Sequence, residues 1–145
     1  MDQQNYHSSI AANFTPQEAF EGINRVNEWW AKNTEGSTEK LNDVFTVRFS
    51  SGTFVTFEVT ESIPGKKIAW HVKDCYLPWL NNKTEWTGTT VMFEISPLGD
   101  GTQITMTHVG LVPALECFDD CEVGWNEHFK ESLLQLLTEK AGAPQ

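Results

Sequence analysis

Residues 43–60 read DVFTVRFSSGTFVTFEVT, and their apolar and polar side chains alternate with a period of two. In an extended chain this period places the apolar side chains of a run on one face. The residues of that face are Phe45, Val47, Phe49, Val55, Phe57 and Val59. Ser50-Ser51-Gly52 separates the two runs and predicts a hairpin turn. The stretch therefore predicts two antiparallel strands with one apolar face.

The same alternation continues to Gly110 and predicts three further strands. Their apolar face consists of Ile68, Trp70, Val72, Val91, Phe93, Ile95, Ile104, Met106 and His108. Turn signals stand at Pro64-Gly65 and at residues 98–101, LGDG. One apolar and one polar face, joined by short turns, indicate an antiparallel rather than a parallel sheet. Residues 6–13 also alternate, so we predict a sheet of six strands.

Two short helices are predicted after the first strand. Thr15-Pro16-Gln17-Glu18 has the composition of a capping box with proline at the first helical position. The apolar residues that follow recur at helical spacing, with a split near Asn24. The polar stretch 33–42 predicts a loop, and residues 73–83 predict a longer connection between strands.

A long C-terminal helix is predicted to follow the sheet, with Asp119 or Asp120 as its cap. One of its faces is apolar and consists of Trp125, Phe129, Leu133, Leu136 and Leu137. Lys140 and Gly142 are signals for its end. About 20 residues at ~1.5 Å per residue would span about 30 Å, enough to cross the sheet.

These elements predict one α+β domain over residues 1–145, in which a curved antiparallel sheet wraps around the C-terminal helix. A helix about 10 Å wide cannot fill a broad concave surface. Either bulky side chains fill the remaining space or a cavity remains there. The rings available for both outcomes are Phe57, Trp70, Trp86, Phe93, Trp125 and Phe129.

Composition excludes several functional classes. The net charge of -10 and the lack of clustered Lys and Arg argue against nucleic acid and against anionic membranes as partners. No apolar run approaches the ~20 residues of a membrane helix, so no membrane insertion is expected. A polar N-terminus without a secretory pattern and three cysteines, read as free thiols, predict a cytoplasmic protein.

Three segments of the chain carry a family resemblance. Residues 9–20 with Trp29-Trp30, residues 100–110 (DGTQITMTHVG), and Trp125 with Ser132-Leu133 resemble the START-like superfamily, also called SRPBCC or helix-grip. Within it they are most similar to the branch of the activator of the heat-shock protein 90 ATPase. The resemblance covers nearly the whole chain.

The resemblance implies a hydrophobic cavity between the sheet and the C-terminal helix. We expect a small hydrophobic molecule as the ligand, with no cofactor and no catalytic residue. The residues expected to bind it are Phe57, Trp70, Phe93, Met106, His108, Trp125 and Phe129. Whether the protein forms a homodimer is left undecided. A chaperone partner is not expected, because the chain has no room for the extra domain that engages the chaperone in the eukaryotic relative.

Two alternatives remain from the resemblance. The first is an enzyme of the cyclase or dehydratase type with His108 as acid or base, and the second is a chaperone-associated interaction module. His108 lies on the apolar face, where it would anchor a ligand or be a core histidine with a satisfied partner. Residues 76–80 would form an apolar lid, a dimer contact or an ordinary loop.

Other polar residues also allow two interpretations. Cys117 and Cys121 could form half of a metal site, but the chain lacks paired His ligands and unreactive thiols are favoured. Asp119 and Asp120 could border a pocket, but capping is favoured. Glu85, placed on the fifth strand, could point inward, but a solvated rim is favoured.

Overall fold

A computed structural model describes residues 5–49, 52–139, 142 and 144. The chain forms one antiparallel sheet with helices packed on one side of it. The strands are β1 (Tyr6–Ala12), β2 (Asn33–Gly36), β3 (Val44–Arg48), β4 (Phe54–Ile63), β5 (Lys67–Tyr76), β6 (Thr90–Leu98) and β7 (Gly101–Val109). The helices are α1 (Pro16–Asn24), α2 (Val26–Trp29), α3 (Phe118–Trp125), a π-helical segment (Asn126–Leu133) and α4 (Leu134–Glu139).

The sheet has seven strands, in the order β1-β7-β6-β5-β4-β3-β2, where six were predicted. The additional strand, β2, lies at the edge and pairs with β3 from Asn33↔Arg48 to Gly36↔Phe45. Its residues, NTEG, are largely exposed, so no apolar alternation marks it in the sequence. The pairing of its backbone with β3 makes it a strand, and hydropathy does not report that pairing.

The predicted apolar face is the buried face. Along β7 every second residue is buried, and the first half of β4 shows the same alternation. The pairing of β4 with β5 shifts register at Thr56/Phe57 and at Val59/Glu61. Such bulges bend a strand and increase its twist. β5 continues to Tyr76, so the predicted connection at residues 73–83 begins later than expected, at residue 77.

The start of α1 follows from its capping residues. Thr15 Oγ1 accepts a hydrogen bond from the Glu18 backbone N–H at 3.0 Å, and Glu18 Oε1 accepts one from the Thr15 N–H at 2.9 Å. Pro16 occupies the first turn. The helical conformation is interrupted at Arg25, which is the C-cap of α1 and the N-cap of α2.

The C-terminal helix, α3 with the π-helical segment and α4, covers residues 118–139. Its N-cap is Cys117, so the predicted cap at Asp119 or Asp120 is wrong; both aspartates lie in the first turn instead. The end signal at Lys140 and the turn residues Ser50 and Ser51 lie outside the described residues. No helix in the described part of the chain is long and apolar enough to cross a membrane.

Aromatic rings fill the space between the middle of the sheet and the C-terminal helix. Trp29 packs edge-on against Phe93 with ring centroids 6.3 Å apart, and Phe93 contacts Phe129 of the helix at 6.1 Å. Trp30, directly after α2, contacts Trp70 at 6.4 Å. Rings therefore pack together at the centre of the sheet, and the pocket described below lies beside the first half of the C-terminal helix.

Candidate ligand-binding pocket

A pocket of about 440 Å³ lies beside the first half of the C-terminal helix. Pockets that bind small molecules commonly measure about 300–1,000 Å³. Its lining comes from the helix, from the ends of β3 and β4, from the residue after α2 and from the connection between β5 and β6. The lining residues are Trp30, Phe49, Thr53, Val55, Leu77, Pro78, Trp79, Trp86, Asp120, Cys121, Gly124, Trp125 and His128.

Indole rings form much of the pocket wall. Trp30 and Trp125 lie with ring centroids 4.8 Å apart, and Trp86 stacks on Trp125 at 6.0 Å with an interplanar angle of 10°. Trp79 is 51% exposed and lies at the rim. Flat, rigid side chains of this kind supply a large contact area for planar ligands at a low cost in conformational entropy.

The polar side chains of the pocket are few. Asp120 is exposed on α3, and His128 projects from the π-helical segment. Burial lowers the pKa of His128 from its usual value near 6.5, although nearby Glu127 opposes the shift. His128 is therefore neutral at pH 7, and Asp120 is the acidic side chain of the lining. None of the lining residues is a lysine or an arginine.

One wall of the pocket belongs to the flap, which we define as residues 77–89 between β5 and β6. Carboxylates fix the flap to the start of α3 in both directions. Glu85 accepts hydrogen bonds from the backbone N–H groups of Glu116 and Cys117, at 3.2 and 3.0 Å. The Glu116 carboxylate accepts from the Asn81 backbone N–H at 2.9 Å. Glu85 thus lies in the flap and not on a strand, which corrects the predicted placement.

Replacing Glu85 by Gln is expected to loosen the flap and to destabilise the fold by about 1–2 kcal/mol, because a carboxylate that caps a helix N-terminus gains from both hydrogen bonds and the helix dipole. Urea denaturation of Glu85→Gln measures the loss. Glu94→Gln, an exposed glutamate on β6, is the matched control. Equal stability of the two variants would contradict a stabilising role for the hydrogen bonds of Glu85 to the start of α3.

His108 is fully buried and lies behind the pocket wall in a chain of hydrogen bonds. The Trp125 Nε1–H donates to His108 Nδ1 at 3.1 Å. His108 Nε2 lies 2.8 Å from Thr89 Oγ1, and that hydroxyl donates to the Trp86 carbonyl at 2.6 Å. An indole N–H only donates, and the Thr89 proton is used for Trp86, so His108 Nε2–H must be the donor to Thr89. The ring is thereby defined as the neutral Nε2–H tautomer.

This arrangement uses both nitrogens of His108. Burial lowers the pKa of the ring to about 3, which agrees with a neutral ring whose Nδ1 accepts a hydrogen bond. A proton added to Nδ1 would displace the Trp125 N–H. His108 therefore orients Trp125 and the end of the flap, and in this geometry it has no free nitrogen with which to act as an acid or base.

The structure separates the seven residues expected to bind the ligand. Trp125 lines the pocket. The other six are buried in the core next to it, with relative exposures of 0%: Phe57, Trp70, Phe93, Met106, His108 and Phe129. Phe57 and Trp70 both contact Trp30, which does line the pocket. Direct ligand contact by these six stays a prediction.

Several lining residues were outside the predicted set. Leu77, Pro78 and Trp79 line the pocket and come from the segment 76–80, for which a lid was one of three interpretations. Trp86 was among the rings considered for the cavity. Trp30, Thr53 and Gly124 carry no sequence signal for a site, because their contribution depends on where α2 and α3 end.

The cysteines differ from expectation. The structure joins Cys117 and Cys121 in a disulfide, with Cα atoms 5.6 Å apart, and leaves Cys75 free and buried. The prediction of free thiols is wrong for this pair, since the first helical turn brings residues four apart next to each other. The argument for a reducing compartment then rests on Cys75 alone. In the described residues no group of three or more His, Cys, Asp or Glu side chains could hold a metal ion.

Comparison with protein families identifies the chain. The family model "Activator of Hsp90 ATPase homolog 1-like protein" matches residues 18–138. The chain belongs to this family. The match begins within α1, ends within α4 and includes the flap and every lining residue of the pocket. Curated protein sequences contain no match to the chain.

Solved structures share the fold of this family member at low sequence identity. The Aha1 dimer from Colwellia psychrerythraea superposes with a TM-score of 0.75 at 21% identity, covering 92% of this chain and 95% of that one. Protein MLL2253 from Mesorhizobium loti gives 0.69 at 16%, covering 95% and 100%. CalU16 from Micromonospora echinospora gives 0.65 at 12%, covering 94% and 86%. At such identities the likeness concerns the fold alone.

Proposed function

We propose that this protein binds a small hydrophobic molecule in the pocket between the C-terminal helix and the flap. The observation that carries the proposal is a cavity of about 440 Å³ whose walls are largely aromatic. Apolar surface of this kind gains free energy when water is displaced by an apolar ligand, at about 25 cal/mol per Å² removed from water.

The walls of the pocket are also held in place by hydrogen bonds before any ligand binds. Trp125 is oriented by His108, and the flap is fixed by Glu85 and Glu116. A wall that is already ordered does not lose conformational freedom when the ligand arrives, so more of the interaction energy appears as affinity.

A neutral apolar dye, N-phenyl-1-naphthylamine, is expected to bind at one saturable site and to increase its fluorescence. Gly124→Leu should weaken this binding about tenfold or more, because the leucine side chain takes up pocket space that the dye needs, and forcing both into it costs about 1–3 kcal/mol. Gly124 lies on the pocket-facing side of the C-terminal helix with Asp120, Cys121 and His128, and a Cβ added to it meets no atom within 4 Å. The variant should therefore fold.

The matched control is Val123→Leu, a substitution at the neighbouring position, where the side chain is exposed and does not line the pocket. It should leave the dye affinity unchanged. Failure of the dye to bind, or equal binding by Gly124→Leu and the wild type, would contradict the proposal. Native mass spectrometry of protein purified from its own host would report a retained ligand and, at the same time, whether the protein is a monomer or a homodimer.

A further inference from the structure

The distribution of charge around the pocket restricts the class of ligand, provided that the proposed binding function holds. Asp120 is the acidic side chain of the lining, and the ion pairs seen in the described part of the chain are formed by other residues. Lysine and arginine are absent from the thirteen lining residues. A carboxylate or sulfonate brought into this space would thus meet a like charge without a compensating cation.

The place where an anion would otherwise bind is already occupied. The N-terminus of a helix attracts anions through its free N–H groups and its dipole. At the start of α3 the Glu85 carboxylate accepts from the N–H groups of Glu116 and Cys117. Asp119 and Asp120 add two negative charges in the first turn. The protein therefore supplies its own anions at this helix end.

The basic residue of the flap is also engaged. Lys83 donates from Nζ to the carbonyl oxygens of Pro78 and Leu80, at 3.1 and 2.8 Å. Lys83 does not line the pocket. Its ammonium group stabilises the turn of the flap and is held by those two carbonyls.

Aromatic faces and a carboxylate together favour one ligand chemistry. A cation is attracted to the face of an indole ring within about 6 Å of its centroid. Trp30, Trp79, Trp86 and Trp125 all line this pocket, and Asp120 lies on the same helical face as Gly124 and His128. We propose that the pocket selects aromatic molecules that carry a protonated amine over those that carry a carboxylate, with Asp120 as the partner of the ammonium group.

The test compares three probes with one aromatic body by isothermal titration calorimetry at low ionic strength: 2-(1-naphthyl)ethylamine, 2-(1-naphthyl)ethanol and 1-naphthylacetic acid. The amine is expected to bind about three- to thirty-fold more tightly than the alcohol, from cation–π attraction and an exposed ion pair together. The acid is expected to bind more weakly than the alcohol. Asp120→Asn should reduce the ratio of amine affinity to alcohol affinity about two- to five-fold.

Asp119→Asn is the matched control, since it removes the same charge from the same helical turn at a residue that does not line the pocket. Equal losses in the two variants would show a general charge effect and overturn the role of Asp120. Binding of the alcohol without preference for the amine would overturn the charge selection and leave the proposed binding function intact. If none of the three probes binds, both the function and the selection are contradicted.

Discussion

Lowering the pH from 7 to 4.5 is expected to remove about 3 kcal/mol of folding free energy through His108 alone. Burial holds the pKa of the folded ring at about 3, whereas the unfolded ring titrates near 6.5. Below pH 6.5 the unfolded chain binds a proton that the folded chain does not accept. Stability from this group is therefore complete above pH 6.5 and falls by about 1.4 kcal/mol per pH unit towards pH 3.

Urea denaturation between pH 7 and 4.5 measures this loss when the wild type is compared with His108→Gln, which does not titrate. The stability of the variant should depend less on pH, so that the difference between the two proteins narrows by about 3 kcal/mol over this interval. The exposed His7→Gln, on the neighbouring strand β1, should follow the wild type. Parallel curves for all three proteins would contradict the buried neutral ring.

A second measurement is independent of how well the variant folds. In the NMR spectrum of the wild type, the ring C–H signals of His108 should not shift between pH 7 and 4.5, because the ring stays neutral. A midpoint near 6.5 for these signals would show that solvent or an acidic group reaches the ring.

The position of His108 was predictable from the sequence, whereas its role was not. Alternation along β7 places it on the buried face with Ile104 and Met106. Its partners, Thr89 and Trp125, come from the flap and from the C-terminal helix, and no periodicity in β7 contains them. A local pattern therefore gives the face of a residue, while its hydrogen bonds depend on how distant elements pack.

The fold was predictable for a related reason. The alternation of β3 to β7, the capping box at Thr15 and the apolar stripe of the C-terminal helix are local signals, and each lies within one element. β2 was missed because it is an edge strand with exposed residues, and Glu85 was misplaced because parity was extended from β6 into a turn. Both errors occur where backbone pairing or a cap, rather than burial, determines the conformation.

The pocket could be predicted as a consequence of geometry but not located. A wide apolar face and one helix leave space, but which rings fill that space depends on the exact end of α2. There the Trp30 ring contacts both Trp70 and Trp125 and fills the space over the centre of the sheet. The remaining open volume lies next to the flap. The side chain of Trp30 is therefore both a core residue and the floor of the pocket.

Replacing Trp30 by Ala should accordingly have the largest effect of any single substitution in the pocket. The side chain is 3% exposed and contacts six rings, those of Trp29, Phe49, Phe57, Trp70, Trp125 and His128. Removing a buried Trp side chain of this kind costs about 3–5 kcal/mol, measurable by urea denaturation. The dye affinity should fall as well, because the floor of the pocket is lost.

Trp79→Ala provides the comparison, since Trp79 lines the same pocket but is 51% exposed on the flap. Trp79→Ala should weaken dye binding but lower the free energy of unfolding by only about 1 kcal/mol or less, because little of the Trp79 surface leaves water on folding. Indole at millimolar concentration should restore part of the stability of Trp30→Ala by filling the vacated space and should stabilise the wild type less. Equal losses of unfolding free energy in the two Trp variants, or no rescue by indole, would show that Trp30 is not both a core residue and a pocket residue.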